Sequence, residues 1–149
     1  MPGEIRAIVR IMGRDLDGYK KVAAALKDIK GVNLNLAYAV LNALKIDHRI
    51  RLGQLSDSQV AEIEKALKNP TSVGIPSWML NRRKDLEEGI DKHLHESDLI
   101  YRIKLDIDRE KKMQSWRGIR HALGLKVRGQ RTRTTGRKGL TIGVRKSAR

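Results

Sequence analysis

Acidic residues stop at Glu110, and this limits where the chain can build a folded core. The 39 residues after it hold 13 Lys and Arg side chains and no Asp or Glu, whereas the first 110 hold 19 basic and 17 acidic ones. A Gly-rich segment with this charge and few bulky apolar residues cannot bury enough surface to fold alone. We therefore expect a helical body over residues 1–112 and a basic segment over residues 113–149 that needs a polyanionic partner.

Length and composition exclude several classes of protein. At 149 residues without Cys or Phe, the chain has room for one small domain with no disulfide and no thiolate metal site. Its start lacks the apolar run of a signal peptide, and no stretch approaches the ~18 apolar residues of a membrane span. We expect an intracellular protein. The net charge of +15 favours a nucleic-acid partner over an anionic membrane, because the basic segment has no helical apolar stripe.

Hydrophobic spacing predicts a mainly α-helical fold. Apolar and charged residues alternate over residues 4–11, which predicts a short strand that the following residues 13–18 break. Apolar residues then recur every three or four positions in four predicted helices, at 19–29, at 34–44, from the Ser56 cap to near Asn69-Pro70, and at 96–112. A last short helix is predicted at 115–123. The fold class is a small helical bundle with a helix-hairpin-helix-like element, an N-terminal strand and an extended basic C-terminal arm.

Local signals mark where these elements begin and end. Asp17 is the predicted N-cap of the first helix, and Ser56 and Gln59 are predicted to form a capping box. Gly124 is expected just after the last helix. Trp78, with the two apolar residues after it, reads as an apolar anchor. Beyond residue 126 the arm should be extended, and disordered without its partner.

The turn between the first two helices is the first candidate site. Gly31 permits positive φ and close backbone approach, and the N–H groups after it open a helix, where they suit a phosphate. Lys30, Gly31 and Asn33 are therefore candidates for backbone-cradling contacts that read no bases. The alternative is an ordinary helix–helix turn. Arg82 and Arg83, in a short basic cluster with Lys84, are further candidates.

The last helix and the arm provide the larger candidate site. On a helix, Arg117, Arg120 and His121 share a phosphate-binding face, while Trp116 should point into a packing contact. The alternative is a solvated basic turn. The arm spaces arginines between Gly and hydroxyl residues, which suits fork-like contacts to phosphate and bonds to ribose oxygens. The arm candidates are Lys126, Arg128, Gln130, Arg131, Arg133, Thr135, Arg137 and Lys138.

Enzymatic motifs are missing from the sequence. No HExxH, Walker loop or GxGxxG occurs, and His93 and His95, two residues apart, would fall on different faces of a helix. We expect no enzyme, no cofactor and no metal. The second hypothesis for the chain is a helix-hairpin-helix DNA-binding or repair module. The third is a nucleic-acid enzyme with a Lys or Asp nucleophile.

The segment SWRGIRHALGLKVRGQRTRTTGRKG, residues 115–139, resembles the C-terminal signature of the small-subunit ribosomal protein S-thirteen family. DGYKKVAAALKDIKGVN at 17–33, GQLSDSQVAEIEKALKNP at 53–70 and IPSWMLNRRKDLEEG at 75–89 agree in order. The last of these is similar to the archaeal and eukaryotic branch, and an archaeal source is expected.

The resemblance implies a cytoplasmic, ribosomal role in the head of the small subunit. The implied partners are small-subunit ribosomal RNA, peptidyl-site tRNA, neighbouring head proteins, and the large subunit's central protuberance through bridges of protein and RNA. No membrane partner is implied. Carried over by position, the arm is residues 126–149. Its ending, the least diagnostic part, places Arg145, Lys146 and Arg149 as candidates near tRNA.

Overall fold

The computed structural model describes residues 5–136 and is mainly helical. Within these residues the elements are β1 (Ile8–Ile11), β2 (Arg14–Asp17), α1 (Val22–Leu26), α2 (Leu34–Ala43), α3 (Asp57–Lys68), α4 (Glu96–Lys112) and α5 (Trp116–Ala122). The chain divides into two compact units, the first ending at Tyr101 and the second beginning at Arg102, so the boundary lies within α4. The predicted fold class is confirmed. The functional division after residue 112 stays a prediction.

The N-terminal strand pairs with a second strand that its sequence pattern did not predict. β1 and β2 are antiparallel, with Val9 opposite Leu16. Met12 and Gly13 both have positive φ, 52° and 75°, as a two-residue type I′ turn requires. The prediction that residues 13–18 only break the strand is therefore wrong, because this turn folds them back and buries Leu16.

α1 and α2 form the helix-hairpin-helix-like pair, and α1 is shorter than predicted. Asp17 does not cap it. Its Oδ1 instead accepts a hydrogen bond from the Tyr19 N–H at 2.9 Å. The residues before α1 stay extended because the Val22 N–H donates to the Ile50 carbonyl at 3.0 Å. α2 begins after Asn33, whose side chain accepts from the Leu34 N–H at 2.7 Å.

The capping box at the start of α3 is confirmed. The Gln59 N–H donates to Ser56 Oγ at 3.3 Å, and the Ser56 N–H donates to Gln59 Oε1 at 3.1 Å. α3 ends at Lys68, just before Pro70, where the sequence placed its end. Two N–H groups at the start of the helix are thus satisfied by side chains.

An aliphatic core holds the first unit together. Its fully buried side chains come from the hairpin, α1, α2, α3 and the turns between them. They are Ile11, Val22, Leu26, Ile29, Val40, Leu41, Leu52, Ile63 and Leu67. Of the predicted apolar anchor, Leu80 is buried and Met79 packs against the core, but Trp78 is 68% exposed, so the prediction is wrong for the tryptophan.

α4 covers the range that the sequence predicted. None of its residues is buried, and Ile100, Tyr101 and Ile103 are exposed. Among the described helices, none is both long and apolar enough to cross a membrane.

Candidate nucleic-acid interface

The hairpin glycine faces another part of the same chain. Gly31 has φ +98°, and a Cβ added to it would lie 2.4 Å from the Leu94 carbonyl oxygen. The Gly31 carbonyl is itself 3.0 Å from His93 Nε2. Residues 93–96 therefore pack directly on the hairpin, and only a glycine leaves room for them.

Glu96 ties the hairpin to the start of α4. Its Oε1 accepts from the Lys30 N–H at 2.7 Å and from Arg14 Nη1 at 3.0 Å, while its own N–H donates to the Lys30 carbonyl at 3.0 Å. Burial alone would raise the pKa of Glu96, but these hydrogen bonds and the Arg14 charge outweigh it and lower the pKa. One hairpin N–H is thus bound to a carboxylate. This favours the ordinary helix–helix turn, with the Lys30 and Asn33 side chains exposed.

His93 and His95 are both buried beside this contact, in the segment that precedes α4. Their ring centroids are 4.6 Å apart, so the prediction that a helix separates them is wrong. The Asn81 N–H donates to His93 Nδ1 at 3.2 Å, and His93 Nε2 donates to Gly31, which fits a neutral ring. Burial lowers the pKa of His93, against the bond to Gly31.

His95 is held neutral more strongly. Burial and the neighbouring His93 lower the pKa of His95 to about 4, although the carboxylates of Asp98 and Glu96 oppose the shift. Its Nε2 is buried without a hydrogen-bond partner in the described structure. Asn81 fixes the segment between the two rings through bonds to both backbone groups of Leu94, at 2.7 and 2.9 Å. Neither Asn81 nor Glu96 was a sequence candidate, because their partners lie more than ten residues away.

The basic cluster at residues 82–84 is only partly directed to solvent. Arg82 Nε lies 2.5 Å from Asp85 Oδ1, and the Asp85 side chain is 2% exposed. The guanidinium offsets the buried carboxylate, which ties Arg82 to the fold. Arg83 and Lys84 are exposed.

α5 is seated against the end of α4 by a serine and a glycine. Ser115 Oγ accepts from the Gly118 N–H at 3.0 Å and donates to the Glu110 carboxylate. Gly118 is buried, and a Cβ there would lie 2.1 Å from the Glu110 carbonyl oxygen. The glycine therefore permits the two helix ends to touch.

Of the four candidate residues of α5, Trp116 and Arg117 are exposed, and Arg120 and His121 are half-buried. Trp116 is 72% exposed, so the prediction that it points into a packing contact is wrong. The Arg120 guanidinium carbon lies over the Trp116 ring, 5.7 Å from its centroid. Arg117 is exposed and lies 3.5 Å from Glu110 Oε1, an acidic partner that the sequence analysis did not assign. His121 is half-buried.

Gly124 ends α5 as predicted. It has φ +66°, its N–H donates to the His121 carbonyl, and the Leu125 N–H donates to the Arg120 carbonyl, the two bonds of a Schellman motif. Arg120 Nε also donates to the Lys126 carbonyl at 2.8 Å, which fixes the start of the arm.

The described part of the arm, residues 126–136, has no helix or strand. Its candidates are exposed, and Thr135 Oγ1 donates to the Arg131 carbonyl at 2.6 Å. The exposed candidates are Lys126, Arg128, Gln130, Arg131, Arg133 and Thr135. The remaining predicted candidates, Arg137, Lys138, Arg145, Lys146 and Arg149, lie outside the described residues.

In contrast to the basic arm, the first unit has a cavity lined by carboxylates. A cavity of about 310 Å³ is lined by Glu64, Glu96 and Asp98 with Lys68 and His95. Such a lining repels phosphate. The described residues contain no group of three His, Asp or Glu side chains that could hold a metal ion.

Comparison with known proteins identifies the family. Residues 10–138 match the family model described as Ribosomal protein S13/S18. The chain belongs to this family. Proteins named "Small ribosomal subunit protein uS13" are similar over nearly the whole chain. The one from Hyperthermus butylicus is 60% identical over 143 residues, 96% of this chain and 95% of its own length.

Two further relatives carry the same name. The Staphylothermus marinus protein is 60% identical over 144 residues, 97% of this chain and 95% of its own. The Methanopyrus kandleri protein is 50% identical over 145 residues, 96% of each chain. The predicted resemblance, including its archaeal branch, is confirmed. The family match includes α5 and the arm as far as Lys138, whereas Arg145, Lys146 and Arg149 lie beyond it.

The histidine pair predicts a loss of stability in mild acid. The pKa of His95 is about 4 in the folded protein and 6.5 in the unfolded chain, so the unfolded chain binds the proton more readily. The stability that comes from neutral His95 is therefore fully present above pH 6.5 and is lost as the pH falls towards 4. Between pH 7 and 5 the free energy of unfolding should fall by about 2 kcal/mol from this group. Denaturant titrations of wild type and His95→Gln at both pH values measure it. The variant should show a flatter pH dependence than the wild type. Equal pH dependence in wild type and His95→Gln would contradict this assignment.

Gly118→Ala should loosen α5. Its methyl group would overlap the Glu110 carbonyl oxygen, and overpacking of this kind costs roughly 1–3 kcal/mol. The amides of Ile119 and Leu123, which bond back along α5, should exchange hydrogen roughly five- to hundredfold faster. Ala122→Ser, at an exposed position of the same helix, is the control. Unchanged exchange in Gly118→Ala would show that the contact does not hold α5.

Proposed function

We propose that the chain is a non-catalytic structural protein of the small ribosomal subunit that binds small-subunit ribosomal RNA through α5 and the arm. One observation carries this proposal. Every charged side chain after Glu110 is basic, and the described arm exposes its arginines. The name of the archaeal relatives supports the same role.

Binding is electrostatic and architectural. Arg117, Arg120 and His121 present one basic face of α5, and the arm adds Lys126, Arg128, Arg131 and Arg133. Each phosphate that these groups neutralise releases counterions and so favours association. Gln130 and Thr135 add hydrogen-bonding groups for phosphate or ribose oxygens. Arg137 and Lys138 extend the same pattern in sequence.

The first unit adds side-chain contacts rather than a backbone cradle. Lys30, Asn33 and Arg83 are exposed and suited to contact RNA, whereas Gly31 shapes the turn on which Lys30 lies. Arg82 acts through the fold because of its bond to Asp85. A helix-hairpin-helix DNA-binding module is not favoured, because Leu94 covers the glycine that such a module would press against the backbone.

The proposed partners extend beyond ribosomal RNA. The exposed apolar residues Ile100, Tyr101 and Ile103 of α4 suit contact with neighbouring head proteins, since exposed apolar clusters mark protein interfaces. Bridges to protein and RNA of the large subunit's central protuberance, and an approach of Arg145, Lys146 and Arg149 to peptidyl-site tRNA, complete the role in the cytoplasmic ribosome.

Arg131→Ala should weaken RNA binding and flatten its salt dependence. Each lost phosphate contact should reduce the slope of log K against log salt by roughly 0.7–0.9. Filter binding of an archaeal small-subunit ribosomal RNA transcript across a salt series measures both effects. Arg10→Ala, an exposed arginine of β1 next to Asp15, removes the same charge as a control and should leave the slope unchanged. Identical slopes for wild type and both variants would remove Arg131 from the RNA-binding surface.

A further inference from the structure

We propose that the Trp116 ring stacks on an unpaired nucleobase of the bound RNA. This inference rests on the proposed function and gives it a contact that recognises bases rather than phosphates. Four features of the second unit support it: the exposure of the ring, its fixed position, the cation beside it and the sign of the charges around it.

Exposure is the first feature. The chain has two Trp and three Tyr, and Trp116 is the most exposed of these five side chains. It leaves 72% of its surface in water at the first position of α5. A ring of this size gains free energy when a partner covers it. Covering by a flat partner is available to any nucleobase, because every base has a π-face.

The position of the ring is fixed by its neighbours. Ser115 caps α5, and Gly118 presses α5 against the Glu110 carbonyl. α5 cannot roll to bury the ring without breaking this contact. The fold therefore holds the ring outward before RNA arrives, which lowers the entropy lost on binding.

Arg120 supplies a cation over the Trp116 ring, so a base would stack on the opposite face. Its guanidinium carbon is 5.7 Å from the ring centroid, and its Nε donates to the Lys126 carbonyl. The guanidinium is thus held by two contacts, one with the Trp116 ring and one with the Lys126 carbonyl. A base that stacks on Trp116 would have a guanidinium nearby for its own phosphate, which is how aromatic and basic groups combine in single-strand recognition.

The charges around the ring favour RNA over protein as the occupant. Trp116 is followed along α5 and the arm by Arg117, Arg120, Lys126 and Arg128, and no acidic residue follows Glu110, whose own carboxylate lies 3.5 Å from Arg117. Basic side chains therefore outnumber this one nearby carboxylate. An acidic protein surface would match the charges, but the carboxylates that carry its charge have no aromatic face to stack on the ring. RNA offers both the charge and unpaired bases in its loops and bulges. Ile119 and Leu123, also exposed, widen the apolar surface beside the ring.

Single-tryptophan variants test the contact. In Trp78→Phe the fluorescence comes from Trp116 alone, and in Trp116→Phe it comes from Trp78 alone, a ring of similar exposure that lies outside α5. On addition of an archaeal small-subunit ribosomal RNA transcript, Trp116 should be quenched because a base stacks on it, whereas Trp78 should not.

Affinity provides the second readout. Trp116→Leu keeps an apolar side chain without a π-face and should bind roughly five- to hundredfold more weakly, with an unchanged salt slope because no charge is lost. Trp116→Phe should restore most of the affinity, and Trp78→Leu should match wild type. Wild-type affinity in Trp116→Leu would overturn the proposal. If Trp116→Leu binds RNA with wild-type affinity but fails to join assembled small subunits, a protein partner covers the ring instead of a base. Absence of salt-dependent RNA binding in the wild type would reject the proposed function itself.

Discussion

The contact between Gly31 and residues 93–96 is the interaction on which the rest of the first unit depends. It joins the turn between α1 and α2 to the start of α4, segments more than 60 residues apart in sequence. A backbone approach with 2.4 Å between a would-be Cβ and the Leu94 carbonyl leaves no alternative to glycine. Glu96 and His93 then satisfy both sides of the turn with hydrogen bonds. The same contact buries His95, which stays neutral there.

Acidic side chains have different roles on the two sides of the unit boundary. In the first unit they are used internally: Glu96 binds the hairpin, Asp85 pairs with Arg82, and Glu64 accepts from the Met12 N–H at 2.9 Å. In the second unit Glu110 is the last of them, and it seats α5 through Ser115. The 39 residues beyond it hold 13 Lys and Arg and no Asp or Glu, so this end of the sequence has a large net positive charge. Such a charge attracts a polyanion.

Periodicity and capping signals predicted the long helices well, because those depend on local spacing. α4 has its predicted bounds, and Ser56 caps α3 as expected. Features that depend on distant partners were missed. β2 is polar and short, and only its pairing with β1 makes it a strand. The exposure of Trp116 follows from the seating of Gly118 on Glu110, which no pattern in α5 reveals. The basic residues of the candidate site were visible in the sequence, but the bond of Arg82 to Asp85 was not.

Sedimentation tests directly whether this protein is a component of the small ribosomal subunit. A lysate of cells that make this protein is run on a sucrose gradient in magnesium buffer, and the protein is quantified in each fraction. A small-subunit protein should migrate stoichiometrically with small subunits and whole ribosomes, and this migration should persist through a high-salt wash. Migration at the top of the gradient, or with chromosomal DNA, would contradict it.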